Sequence, residues 1–151
     1  MRRSVALLLL LLVASCAGPT VRWRLDHDAA LADARQENRP LLVFFRASWD
    51  VSSVEIEQIF IRPNVVDALN RLVTVRVDLT QANGAGEALL RSYDQVGVPS
   101  VVIVCPNGQR VTEIHEVIEP SEMVAALRAA KRTCRGRPTA AATSTPRTPP
   151  R

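Results

Sequence analysis

Three cysteines, at positions 16, 105 and 134, and two histidines, at 27 and 115, are the residues with the most obvious chemical reach in this chain. Thiol–disulfide exchange needs a thiolate to attack and a second thiol to resolve the mixed disulfide. No two of these cysteines have the Cys-x-x-Cys spacing that favours such a reaction. A second polar group gathers at Asp50, Ser52, Ser53, Glu55 and Glu57. A serine nucleophile requires a base within hydrogen-bond reach, and nothing in the sequence sets His27 or His115 beside Ser53. Asp50 is explained more simply as a helix cap. Metal-ligand spacing is absent, and Asn83-Gly84-Ala85-Gly86 reads as a loop before a helix rather than a phosphate cradle. The expectation is therefore no catalytic site of hydrolytic type, no metal and no cofactor.

Charge narrows the partners. The net charge is +4, from 19 Lys+Arg against 15 Asp+Glu. Arg2 and Arg3 lie at the N-terminus, and Arg135, Arg137, Arg147 and Arg151 at the C-terminus. All the acidic residues lie between these two groups, so the central part is slightly acidic. Four arginines scattered through a Pro/Thr/Ala-rich end fit a solvated tail over 135–151, and no nucleic-acid role is expected.

The elements that carry these side chains follow from periodicity and turn residues. Val21–Leu25 alternates like a short strand. Asp26 is placed to cap a helix over about 28–38, which Asn38-Arg39-Pro40 ends. Leu41–Phe45 is a continuous apolar run of strand length, as expected for a strand covered on both faces. A helix starts near Asp50, with Glu55 and Glu57 early in it, and is interrupted at Pro63; a further turn or two follows over 64–70. Leu72–Asp78 reads as a strand, 84–93 as a helix and Pro99–Cys105 as a strand. Asn107-Gly108 is a hairpin signal returning along 110–117. A last helix follows, with Ser121 as its expected cap and Met123, Val124, Leu127 and Ala130 on one face. The order βαβαβαββα predicts an α/β fold: a central mixed sheet with a parallel core, an antiparallel hairpin edge, and helices on both faces.

The first 15 residues resemble a bacterial lipoprotein signal. Met1-Arg2-Arg3 precedes an apolar run of about ten residues, too short to cross a bilayer core of ~30 Å as a helix. The run ends in Val13-Ala14-Ser15-Cys16, similar to a lipobox. The resemblance implies cleavage before Cys16, lipidation of Cys16, and a protein held by its acyl chains on the bacterial cell envelope, facing the periplasm or the surface. Ala17 stands where Asp favours inner-membrane retention in Gram-negative bacteria, which points to the outer membrane. Residues 16–24 would then be anchor and linker, and 25–134 the folded domain.

That domain resembles the thioredoxin-like superfamily, and most of all the C-terminal thioredoxin-like domain of the DsbD family. Leu41–Trp49 looks like the strand and turn that lead to the thioredoxin redox motif, and Gly97-Val98-Pro99-Ser100 like the loop carrying the family's cis-proline. Ala29–Pro40 and Phe60–Val66 resemble the flanking helical regions. Where the family carries Cys-x-x-Cys, this chain has Asp50-Val51-Ser52-Ser53. Phe44 stands where some thioredoxins keep a buried acid. The family's exchange chemistry therefore does not carry over to this site. What the resemblance leaves is a groove of Trp49, Asp50, Val98 and Pro99 facing an extended peptide; the simpler reading keeps Pro99 for the fold alone.

In the thioredoxin fold the strand ending at Cys105 and the helix ending at Cys134 start at the same end of the sheet and run side by side. Strand and helix rises bring both cysteines to similar depth, opposite Asp50. A structural Cys105–Cys134 bridge is expected, the other reading being a buried free Cys105 and a frayed helix end at Cys134. The functional expectation is a redox-inactive, lipid-anchored protein-binding or scaffolding module with protein or extended-peptide partners. The alternative is an enzyme of envelope disulfide metabolism that uses Cys105/Cys134 or a partner's thiol.

Overall fold

A computed structural model describes residues 18–81 and 84–135. The expected signal segment, Cys16 and the tail from 136 lie outside these residues. The elements are α1 (His27–Gln36), β1 (Leu41–Arg46), α2 (Val51–Phe60), α3 (Pro63–Leu69), β2 (Val73–Asp78), α4 (Gly84–Ser92), β3 (Ser100–Val104), β4 (Arg110–Ile114) and α5 (Pro120–Arg135).

The sheet is built around β1, all six of whose residues are buried. Successive side chains point to opposite faces, and each face has its own core. Leu42 and Phe44 pack with Ile56, Phe60, Leu69, Met123 and Leu127, under α2, α3 and α5. Leu41, Val43 and Phe45 pack with Ala30, Ala34 and Leu90, under α1 and α4. The unbroken apolar run of β1 thus records a strand with helices on both faces, as its sequence predicts.

The strand order is β2-β1-β3-β4. β1 and β2 are parallel, whereas β3 is antiparallel to β1 and β4 is antiparallel to β3. The parallel core is therefore smaller than the β-α-β-α-β order implies. Asp78, the end of β2, pairs with Arg46, and Ser100, the start of β3, pairs with Phe45. The segment between them leaves and re-enters at one pole of the sheet, so β3 must run back down. This connection brings Val98-Pro99 to the pole where the chain leaves β1 towards Trp49.

Three local expectations need adjustment. The strand expected over 21–25 reduces to one parallel bridge, Arg24 to Val75, at the edge of β2. Trp23 turns inward there, 6.1 Å from Phe44 and 5.4 Å from Phe60, while Arg24 turns out to pair with Asp33 at 2.9 Å. α5 begins at Pro120, one residue before the expected cap Ser121. Proline has no N–H to satisfy and its φ suits the first helical position; the Glu122 carboxylate accepts from the Glu119 N–H at 3.1 Å, closing the turn from the other side. α1 ends at Gln36, with Asn38 left-handed at φ 50° before Pro40.

Candidate functional site

The chain leaves β1 at Ala47, turns through Ser48-Trp49, and enters α2 at Val51. Asp50 caps that helix: its carboxylate accepts from the Ser53 N–H at 2.6 Å. The Ser53 hydroxyl in turn accepts from the Ala47 N–H at 3.3 Å, and the Asp50 N–H donates to the Ala47 carbonyl at 3.3 Å. Ser53 is fully buried. Asp50 and Ser53 are therefore committed to holding the turn closed. An alcohol with no access to solvent, beside no base, has no nucleophilic use. Val51 points into solvent and Ser52 is partly buried.

Phe44 is fully buried and meets Phe60 edge-on at 5.1 Å. Position 44 thus carries an aromatic ring packed against another. Beside it lies a charged network that the sequence did not announce. Arg46 is 9% exposed. Its guanidinium reaches Asp78 at 2.9 Å and Glu57 at 3.1 Å, and Glu57 also faces Arg76 at 3.5 Å. Burial works against the Asp78 carboxylate, but hydrogen bonds from the Thr80 hydroxyl and N–H and from Arg46 outweigh it. They hold Asp78 below the ordinary value of 3.8. The Arg46 Nε is buried without a hydrogen-bond partner.

Opposite the turn, the Val98–Pro99 peptide is cis. Trp49, Leu79, Leu90, Val96 and Val98 line a groove of about 470 Å³, flanked by Glu87 and Arg91. Trp49 is 66% exposed and Val96 fully exposed. An exposed indole beside an exposed Val96 and a half-buried Val98 makes an apolar surface suited to binding. Val98 and Pro99 continue into a neighbouring hollow with Asp94, Glu113 and His115. The structure so brings together Trp49 and Val98 of the expected groove, with Pro99 behind Val98. Asp50 lines neither hollow.

His115, weighed in the sequence only as a base for Ser53, instead has its Nδ1 3.0 Å from the Ser100 hydroxyl. Ser100 is fully buried and donates to Gln95 Oε1 at 2.6 Å, so it too is a structural hydroxyl. The signal for this contact was present: counting outward from Asn107-Gly108 along a regular hairpin sets Ser100 opposite His115.

Cys105 and Cys134 form the expected disulfide, with Cα atoms 5.1 Å apart. Both residues are buried. Val104 pairs with Leu41, the first residue of β1, so the bridge lies at the pole opposite Trp49. Among the described residues no His/Cys/Asp/Glu group has the geometry of a metal site. None of their helices is long and apolar enough to cross a membrane.

A four-stranded sheet between two helical layers, with a cis-proline loop facing the β1–α2 turn, defines a class of fold, and comparison with known proteins agrees. A family described as Thioredoxin-like matches residues 22–106, and the chain belongs to that family. Thiol:disulfide interchange protein DsbD 1 of Pseudomonas aeruginosa is 34% identical over 93 residues, which are 61% of this chain and 16% of that protein. The chain thus spans about one sixth of the length of this relative. Among solved structures, the DsbD C-terminal domain of Neisseria meningitidis in its reduced form aligns at TM-score 0.63 and 24% identity, over 68% of this chain and 92% of that one. A thioredoxin from Thermus thermophilus aligns at TM-score 0.68 and 23% identity, over 76% and 90%. The relationship is to proteins of disulfide metabolism, and the shared part is the thioredoxin-like domain.

Proposed function

We propose that this chain is a redox-inactive thioredoxin-like module of the bacterial envelope, lipid-anchored through Cys16, that binds protein or extended-peptide segments in the groove beside Trp49. The observation that carries the reading is the turn at 50–53. Its acid and its buried hydroxyl are both occupied in capping and closing α2, while the apolar groove next to it stays open. Exchange with a substrate disulfide would need a sulfur there, and this turn offers only oxygen. The relatives bearing the name thiol:disulfide interchange protein favour an envelope setting facing the periplasm. The lipobox-like Val13–Cys16 favours the anchor, and Ala17 the outer membrane.

Photo-crosslinking in the native membrane tests the groove. Partners captured from a probe at Val96 are expected to disappear in Trp49→Ala/Val98→Glu, while a probe on the far helix face at Arg128 is unaffected. An unchanged set of partners in that double variant would leave the domain as a structural lipoprotein without a groove function.

One observation favours a second reading, an oxidoreductase working through Cys105–Cys134: the bridge exists. Against it, the two cysteines are only 2% and 8% exposed, and they lie at the pole opposite Trp49 without Cys-x-x-Cys spacing. Activity in insulin reduction that is lost on Cys105→Ser would select this second reading.

A further inference from the structure

The pole opposite the groove carries cations from three separate segments. Arg39 follows α1, Arg71 follows α3, and Lys131 and Arg135 lie in the last turns of α5; together they line a hollow of about 380 Å³ next to Cys134. Lys131 is the only lysine of the chain. Its ammonium is held below its ordinary value, first by lost hydration and then by the Arg135, Arg71 and Arg39 guanidiniums. Glu37 is the acid that lines the hollow, and it is already held by Arg39 at 2.5 Å and faced by Arg24 at 3.9 Å. Arg71, Lys131 and Arg135 have no carboxylate partner among the described residues. The dipole of α5 accounts for cations at its own C-terminus. It does not account for Arg39 and Arg71, which come from other elements.

Both ends of the described part of the chain lie at this pole. The Asn70 side-chain amide donates to the Thr20 carbonyl at 3.1 Å. From there the chain climbs the edge of β2, with the Arg22 carbonyl accepting from the Thr74 hydroxyl and the Arg24 N–H donating to the Thr74 carbonyl. Thr20 therefore lies at the basic pole. Cys16 lies four residues back, within ~14 Å of Thr20 by chain length alone. α5 ends at Arg135 on the same side, and the residues that follow include Arg137, Arg147 and Arg151.

We infer that this basic pole is a membrane-facing surface that rests on anionic phospholipid headgroups. In the cell the arrangement rests on the Cys16 anchor: a tether that short keeps the pole near the bilayer. Each cation near an anionic surface strengthens attachment by about fivefold, and the gain is screened by salt. The consequence is orientation. The Trp49 groove is held on the far side of the sheet, about 20 Å farther from the lipid, and faces partners in solution rather than the membrane.

Vesicle co-sedimentation of the full chain carrying Cys16→Ser removes the acyl chains from the measurement. Vesicles of pure phosphatidylcholine are compared with vesicles containing phosphatidylglycerol, for this chain and for the same chain with Arg71→Glu, Lys131→Glu and Arg135→Glu added. Arg39 is left in place because it also holds the Asn70 and Leu72 carbonyls. Any contribution from the leader, including Arg2 and Arg3, is the same in both chains. The expected result is at least about tenfold tighter binding to the anionic vesicles, falling by at least that factor in the triple variant and in high salt. An anionic preference that survives the triple substitution, in a variant whose near-UV circular dichroism is unchanged, overturns the inference. So does tighter binding to duplex DNA than to the anionic vesicles. The intact mass of the wild-type chain reports the anchor separately: absence of acyl groups there refutes lipidation and leaves the vesicle comparison standing.

Discussion

Asp50 and Ser53 occupy the positions that resemblance to thioredoxins gives to the redox cysteines, and both have been turned into scaffold. The Asp50 carboxylate satisfies a helix N–H that would otherwise go unpaired. Ser53 satisfies the N–H of Ala47 from a fully buried site. Asp50→Ala and Ser53→Ala are each expected to lower unfolding free energy by about 1 kcal/mol, and by up to ~2 kcal/mol for Ser53 because its loss leaves a buried donor unpaired. Urea titration reads both, and neither should alter what the groove captures. Asp78 contributes in a pH-dependent way. Its carboxyl is depressed in the folded chain, so its stabilisation is present above 3.8 and is lost as pH falls through the lower folded value. Asp78→Asn should therefore flatten the fall in thermal midpoint below about pH 4 and leave the slope between pH 5 and 7 unchanged. The cap of Asp50 was legible in the sequence, because a short acid before an apolar-periodic run has few other uses. The Arg46–Glu57–Asp78 network was not: its members come from a strand, a helix and a second strand, and nothing local ties them together.

At the scale of elements, β1 was the most legible part of the fold. Five consecutive apolar residues of strand length leave no face for water, and the two separate cores on either side are the outcome. Strand direction was illegible. Periodicity shows that Ser100–Val104 is a strand but says nothing of which end it enters from, and it enters from the Asp78 pole. That direction is what puts Val98-Pro99 across from Trp49, so the groove was legible only through family resemblance. The Cys105–Cys134 bridge ties the end of β3 to the end of α5. It closes a loop with a sequence separation of 29, for which chain entropy gives a stabilisation of about 3–4 kcal/mol. Cys105→Ala/Cys134→Ala should lower the unfolding free energy read from urea titration by that amount. Equal midpoints with and without reductant would show that α5 is held by its apolar face, Met123, Val124, Leu127 and Ala130, alone.

At the scale of the molecule, two poles divide the work. One holds the disulfide, the basic hollow and both ends of the described chain. The other holds an exposed Trp49 and Val96 beside the turn at 50–53, which carries Asp50 as a cap and a buried Ser53. The proposed function is binding without disulfide exchange. Insulin reduction, followed by turbidity with dithiothreitol as electron source and the full chain purified without reductant, is the decisive assay. A rate equal to the background without protein is expected at every concentration of the chain. Acceleration that scales with its concentration and vanishes in Cys105→Ser would contradict it.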